Sequence, residues 1–442
     1  MVDSIDKIIS LCKRRGIVFP SAEIYGGFGS GYDFGPMGVE LKRNIKNEWW
    51  KSVTQLHKSV VGLDAAIIMP PKIWEASGHL GAGFADELVE CKNCHKRFRL
   101  GELKEKKCPD CNGEFTEAKK FNLMMKTFVG SIEDENAVAY LRAETCQGIY
   151  INFKNVLDSM RLKIPFGIAQ VGKSFRNEIT TKNFIFRMRE FEQMEMQWFC
   201  NPKDAGKWFE HWKEERLNWY AGLGMRKENL KIWEVPDGER AHYAKRQIDV
   251  MYNFPFGWQE IEGIHNRGDW DLSRHAQFSG ADLSYTDPDT QEKYIPYIIE
   301  TSVGVERSLL AFLVDAYQEI EGGRTTTTES VKALETILKL HPKLSPIKIA
   351  ILPLLKNKTD LVRKANEIFN VLSEKFLCQY DETGSIGRRY RRQDEIGTPF
   401  CITIDFESLE KNDVTIRHRD TMQQERILEA DLITYLSNKI NL

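Results

Sequence analysis

No run of about 18 apolar residues occurs anywhere in the 442-residue sequence, which leaves no candidate for a membrane-spanning helix. The opening stretch, MVDSIDKIISLCKRRG, lacks the long apolar core of a secretory leader, so a cytoplasmic protein with no membrane partner is expected. Charge of one sign is also lacking. A net charge of -2 gives no whole-protein field for nucleic acid, and a polyanion would have to be held by local basic patches. Absent as well are a GxSxG elbow, an HExxH helix, a Walker loop and a dinucleotide fingerprint. If ATP binds, something other than a P-loop binds it. A disulfide framework is missing too: of nine cysteines, four form two CxxC pairs, and Cys12, Cys146, Cys200, Cys378 and Cys401 lie scattered. That odd remainder suits a reducing compartment.

What is present is a globular composition, 42% hydrophobic and 29% charged, with room for two or three domains. The chain divides into blocks. Residues 1 to about 87 open with an amphipathic helix and a glycine-rich stretch, YGGFGSGYDFGPMGVELKRNIKNEWW, whose second half reads as a long helix after Pro36. The stretch lacks phosphate-loop spacing and is read as scaffold. In residues 88–118, CKNCHKRFRLGELKEKKCPDCNG puts thirteen residues between Cys94 and Cys108. Cys91, Cys94, Cys108 and Cys111 can present four thiolates tetrahedrally to Zn2+, as a ribbon-like insertion in a larger domain. Four thiolates leave no open position for catalytic water, so the role is structural.

Residues 172–199, GKSFRNEITTKNFIFRMREFEQMEMQWF, place two strand-like runs around a short polar turn. With a period of two, Arg187, Arg189, Phe191, Gln193, Glu195 and Gln197 share one face, and Met188, Met194, Met196 and Trp198 fall on the other. The polar face is either solvated or meets a ligand, and Arg176 and Glu178 of the first run would add charge of both signs. A second concentration lies in YIPYIIETSVGVERSLLAFLVDAYQEI. A strand over 294–303 turns at Gly304 into a helix with apolar positions Leu309, Leu310, Leu313, Val314 and Tyr317. Arg307 falls in its first turn, where the helix dipole disfavours a cation unless an anion faces it. It is either simply exposed or, with Glu300, Ser302 and Glu306, part of a site.

Residues 322–345 read as a connector with one helix. Residues 346–442 follow as a compact α/β domain: strands in IKIAILPLL, FCITIDF and VTIRHRD, and helices around LVRKANEIFNVLSEKF and ADLITYLSNKI. Between its strands, GSIGRRYRRQDEIG sets Arg388, Arg389, Arg391 and Arg392 around Tyr390. This is either a contact for RNA phosphate and a stacked base or a solvated loop paired with Asp394 and Glu395.

These residues resemble the class II aminoacyl-tRNA synthetases, and within them the homodimeric type of glycyl-tRNA synthetase. GSGYDFGPMGVELKRNIKNEWW is similar to the first class motif, which builds the dimer interface; SFRNE with FRMREFEQME to the second; and GVERSLLAFL to the third. LRAETCQGIYINF, ERAHYAKRQIDVMYNFPFGWQEIEGIHNRGDWDL and GSIGRRYRRQDEIGTPF are narrower and favour glycine over proline, threonine or histidine. The implied fold is α/β of the α+β kind: an antiparallel-sheet catalytic domain over 1–321 and an anticodon-binding domain over 346–442.

The resemblance also implies roles. Arg176, Glu178 and Arg307 would be catalytic, Arg176 gripping the ATP α-phosphate and the amino-acid carboxylate through its planar fork. Glu178 and the backbone beside it, with Asn177, would read the adenine edge, and Phe191 and Arg307 would sandwich the ring. Phe186, Arg187, Met188, Arg189 and Glu190 would complete the ATP site with Glu260, Ile261, Gly304, Val305 and Glu306, and Glu260 would lie close to Mg2+. Glycine would be met by Glu144, Glu195 and Glu300, with Arg99, Phe191, Glu192, Gln193, Met194, Thr301, Ser302, Val303 and Gly304 around it. A pocket without a side-chain recess rejects larger amino acids, and no editing site is required. The implied reaction is glycine activation by ATP and transfer to tRNA(Gly). Two departures each lose a proline and keep the carboxylate: Arg142-Ala143-Glu144-Thr145 and Glu300-Thr301-Ser302. A synthetase-like accessory protein would have no need of the ATP-binding groups, and a zinc-ribbon nucleic-acid module would leave most of the chain without a role.

Overall fold

The computed structural model describes residues 2–81, 84–103, 105–178, 183–321 and 334–441. Its centre is a seven-stranded sheet in the order Leu230–Glu234, Arg246–Phe254, Gly257–Gly268, Tyr297–Gly304, Glu190–Cys200, Phe166–Phe175 and Val60–Gly62. Every pairing is antiparallel except the last, between Phe166–Phe175 and Val60–Gly62. Alternation along Glu190–Cys200 fixes which face packs. Met194, Met196 and Trp198 enter the main core with Phe209 and Trp212 of the helix Ala205–Gly222 and with Leu309, Leu310 and Leu313 of the helix Val305–Ala316. Gln193, Glu195 and Gln197 take the opposite face, and they too are buried.

The two runs of the charged hairpin are shorter than the periodicity suggests. The first strand ends at Phe175 and the second begins at Glu190, so Arg176–Glu178 and Arg187–Arg189 lie in the connection. The short polar turn expected between them takes in 179–182, which lie outside the described residues. The expected strand over 294–303 spans Tyr297–Gly304, because Pro296 has no N–H to give a ladder; Lys293–Tyr294 pairs separately with Tyr285–Thr286. The following helix stops at Ala316, and Tyr317 begins a new strand, Tyr317–Glu321.

That strand corrects the reading of the connector. The described part of 322–345 holds a strand, Leu334–Leu338, paired antiparallel with Tyr317–Glu321, and no helix; the rest of the expected helix lies outside the described residues. A ready partner strand and the buried Ile337 and Leu338 outweigh the weak helical pattern.

The cysteine-bearing insertion is a three-stranded sheet, with Ala85–Glu90 between Arg97–Arg99 and Lys119–Asn122. Near the C-terminus, five strands run in the order Cys378–Tyr380, Ile349–Pro353, Phe400–Ile404, Asp413–His418 and Gln424–Leu428, the first three mutually parallel. The helices Thr359–Ser373 and Leu432–Asn441 cover one face. GSIGRRYRRQDEIG is not a loop: Ile386–Ile396 is a helix, closed by Gly397 in the left-handed region at φ 83°, and its Ile386 and Tyr390 pack on Ala350, Leu352 and Cys401. No described helix is long and apolar enough to cross a membrane.

Candidate functional site

A cavity of about 440 Å³ opens on the polar face of the central sheet. Of the residues singled out from the sequence, Glu144, Arg176, Glu178, Phe186, Arg187, Met188, Phe191, Gln193, Glu195, Glu260, Ile261, Glu300, Ser302, Gly304, Glu306 and Arg307 line it. One end is aromatic and cationic. The Arg176 guanidinium carbon lies 5.4 Å from the Phe191 ring centre and 5.7 Å from that of Phe84, and its Nε donates to the Ala143 carbonyl at 3.1 Å. Arg307 stacks over Phe186 at 4.6 Å and pairs with Glu260 at 3.3 Å. Burial and the neighbouring Glu260 push Asp249 up to about 6.

The other end is a nest of carboxylates. Glu195, 2% exposed, accepts from the hydroxyls of Thr145 and Ser302 and from Gln193 Nε2 at 3.1 Å. Burial, then the charges of Glu300 and Glu144, push it up to about 7. Glu300 is equally buried, but Arg267 Nη1 at 2.9 Å, His265 Nδ1 at 2.7 Å and Gln197 Nε2 at 2.9 Å surround it. Arg267 outweighs that burial and holds Glu300 below the usual carboxylate range. Glu144 is held low by His79 at 3.4 Å against a large burial penalty, and accepts from Gln147 Nε2 at 2.8 Å. Arg267 itself is 1% exposed, forked onto Asp271 and stacked over Tyr243 at 3.6 Å.

Other predicted residues have different partners. Glu192 pairs with Lys42 and Lys46, and Glu190 with Lys173 on the surface. Arg189 does not line the cavity: its Nε donates to the Glu178 carbonyl at 2.9 Å and its Nη1 to the Gly29 carbonyl at 2.6 Å. Met194, Thr301, Val303 and Val305 are buried away from the cavity lining, and Asn177 is not in it although Arg176 and Glu178 on either side are. Arg99 stands on the insertion, bound to Asp86 and 3.5 Å from Glu178 Oε2. Sequence reasoning missed Ile185, Glu239, Ala241, Tyr243, Gln247, Gly263 and His265, all in the lining. Most belong to the subgroup-specific stretch around ERAHYAKRQ and EIEGIHNRG, which was the available signal.

The four cysteines meet as their spacing predicts. Cys91 and Cys111 sulfurs are 3.4 Å apart, those of Cys94 and Cys108 are 3.6 Å apart, and all four lie within 4.8 Å of one another. A tetrahedral Zn2+ with Zn–S bonds of about 2.3 Å needs sulfurs about 3.8 Å apart, so the set fits. The amides of Asn93 and Cys94 point at Cys91 Sγ at 3.4 and 3.5 Å, and a Cβ on Gly113 would come within 2.9 Å of the same sulfur.

The basic helix of the C-terminal sheet places its arginines unequally. Arg389 is 2% exposed and donates to the carbonyls of Pro353 and Leu354 at 2.6 and 3.1 Å, so the expected RNA contact cannot include its guanidinium. Tyr390 bonds Thr403 at 2.5 Å beneath Arg417, Arg391 lies 3.5 Å from Glu335, and Arg392 pairs with Asp381 at 2.6 Å. Arg388 is exposed. The acids of the helix pair elsewhere: Asp394 with Arg417 at 2.9 Å, and Glu395 with Arg14 and Arg15 at 3.2 and 2.7 Å.

Comparison with known proteins agrees with both halves. Residues 129–317 match the family model "tRNA synthetase class II core domain (G, H, P, S and T)", and residues 348–439 match "Anticodon binding domain". The chain is 52% identical to the glycine–tRNA ligase of Treponema denticola, covering 99% of this chain and 97% of the relative. It is 50% identical to those of Alkaliphilus oremlandii and Streptomyces coelicolor, covering 99% of this chain and 98% and 99% of the relatives. A cavity with a cationic aromatic end and a carboxylate end, on a mostly antiparallel sheet followed by an anticodon-binding unit, is thus found in a chain that belongs to the glycine–tRNA ligase family of class II synthetases.

Proposed function

We propose that the chain activates glycine with ATP to glycyl-adenylate and then transfers glycine to the 3' end of tRNA(Gly). The observation that carries this reading is the two-ended cavity: an arginine beside aromatic rings at one end, and Glu144, Glu195 and Glu300 at the other. Adenine enters between Phe191 and Arg307, with Glu178 at its edge. Arg176 and Arg187 face the phosphates, and the glycine ammonium meets the carboxylates. A glycine carboxylate oxygen attacks the α-phosphorus as the bond to pyrophosphate breaks. The terminal ribose hydroxyl of tRNA then attacks the glycyl carbonyl carbon, and AMP leaves. No protein nucleophile is required; positioning and electrostatic stabilisation supply the rate.

Mg2+ would be held beside Glu260, where it would relieve the crowding of that carboxylate against Asp249. Zn2+ would be held by Cys91, Cys94, Cys108 and Cys111 and would fix the insertion without entering the reaction. Residues 1–321 form the catalytic unit and 346–442 the anticodon-binding unit, where exposed Arg388 is the available phosphate contact. A homodimer is supported by Ile24 and Tyr25, each 87% exposed, and Phe28, 80% exposed, an apolar group that a second copy would cover. The protein acts in the cytoplasm.

The test is amino-acid-dependent ATP–pyrophosphate exchange across a panel of amino acids, with Arg176→Ala beside the wild type. Exchange with glycine alone, lost in the variant, is expected. Exchange with another amino acid would overturn the pocket assignment, and none in metal-replete protein would overturn the activity.

A further inference from the structure

Arg176, Asn177 and Glu178 are consecutive, and each is met by a different part of the cysteine-bearing insertion. Phe84, at the entrance to its first strand, lies 5.7 Å from the Arg176 guanidinium. Leu123, just past its last strand, accepts the Asn177 N–H at 2.8 Å and donates its own to the Phe84 carbonyl at 3.2 Å. Arg99 brings Nη2 to 3.5 Å from Glu178 Oε2 while Asp86, on the adjacent strand, holds its Nε. Glu178 is 8% exposed, and among the described residues no hydrogen bond reaches that oxygen, which the Arg99 cation faces.

The same strands end in the cysteines. Cys91 directly follows Ala85–Glu90, and Cys94 stands three residues before Arg97–Arg99. The pairs Leu88 with Arg99 and Glu90 with Arg97 set where Arg99 points. A metal closing the four sulfurs fixes that register; without it, two short hairpins must hold four crowded thiols unaided.

We propose that metal binding by Cys91, Cys94, Cys108 and Cys111 sets the cavity's affinity for the adenine nucleotide, with Arg99 and Phe84 as the positioning residues. The proposal rests on the reading above that Arg176 and Glu178 hold ATP. Linkage makes the effect reciprocal: nucleotide must tighten metal binding by the factor by which metal tightens nucleotide binding.

The experiment uses the full chain. Binding of a non-hydrolysable ATP analogue is measured by calorimetry on zinc-loaded and chelator-stripped protein, and zinc affinity by chelator competition with and without the analogue. Stripping is expected to weaken analogue binding by about tenfold, within the usual range of coupling between sites, and the analogue to tighten zinc by the same factor. Arg99→Ala, with zinc retained, is expected to raise the ATP KM in the exchange reaction while kcat holds, and Arg99→Lys to restore part of the loss. Equal analogue affinity in loaded and stripped protein overturns the proposal. Should stripping unfold the chain, wild-type analogue affinity in zinc-bearing Arg99→Ala and Phe84→Ala overturns it instead. Failure of zinc-loaded wild type to bind the analogue at all would remove the ATP reading itself, and this inference with it.

Discussion

Glu195 and Glu300 bring carboxylate oxygens within 4.8 Å of each other in one buried cleft, and their surroundings push them in opposite directions. Glu300 has Arg267; Glu195 has hydroxyls and an amide, and rises to about 7. A glycine ammonium prefers the ionised form, so binding is expected to release a proton and to weaken by about tenfold per unit as pH falls below 7. Calorimetry in buffers of different ionisation enthalpy checks this; affinity flat between pH 5.5 and 8 would contradict it. The same group predicts a stability trend. Its folded value lies above the reference value of 4.5, so the unfolded chain ionises first. The ligand-free fold is expected to lose up to about 3 kcal/mol from this group as pH rises through that window.

Arg267 is a buried cation shared by Asp271 and Glu300. Arg267→Met would leave both carboxylates in the interior without their partner, at a cost of about 3–5 kcal/mol in urea unfolding. Glycine affinity is expected to fall as well, because Glu300 would rise towards protonation.

Arg307 contributes a flat cation over Phe186 and an ion pair to Glu260. Arg307→Ala is expected to cost nucleotide binding about 1–2 kcal/mol, roughly 5- to 30-fold in ATP KM, with glycine KM little changed. A loss confined to glycine would contradict the adenine assignment.

Gly113 leaves no room for a methyl group beside Cys91 Sγ. Gly113→Ala is expected to lower zinc affinity by at least about tenfold, as loss of a supporting feature around a metal site does. Chelator competition reads the change.

Glu395 accepts both Arg14 and Arg15 and is the charged link between the N-terminal helix and the helix Ile386–Ile396. Glu395→Ala is expected to reduce tRNA charging more than glycine-dependent exchange, since only charging requires both units in register. Equal losses in the two assays would deny the link that role.

Legibility followed the range of the signal. The cysteine site could be read because its spacing is local, and the Gln193, Glu195, Gln197 face because a strand repeats every two residues. The cavity above that face was not legible from periodicity, since burial of a polar face depends on strands distant in sequence. Tyr243, Gln247 and His265 reach the lining through the pairing of Arg246–Phe254 with Gly257–Gly268, which no short window encodes. Resemblance treated Arg187 and Arg189 alike; the fold sends one to the cavity and the other to the Gly29 and Glu178 carbonyls. Ile386–Ile396 escaped as a helix because glycines and a run of arginines mimic a loop, whereas Tyr390 and Ile386 packing on the sheet decides it.

The junction at Glu395 also bears on how the molecule is completed during synthesis. Glu395 follows Arg14 by 381 residues, so the N-terminal helix is made long before its acidic partner leaves the ribosome. The cavity lining, whose last member is Arg307, is already in hand by then. A chain interrupted between those points carries every group of the cavity, but of the clasp that ties its first helix to the tRNA-reading end it has Arg14 and Arg15 without Glu395.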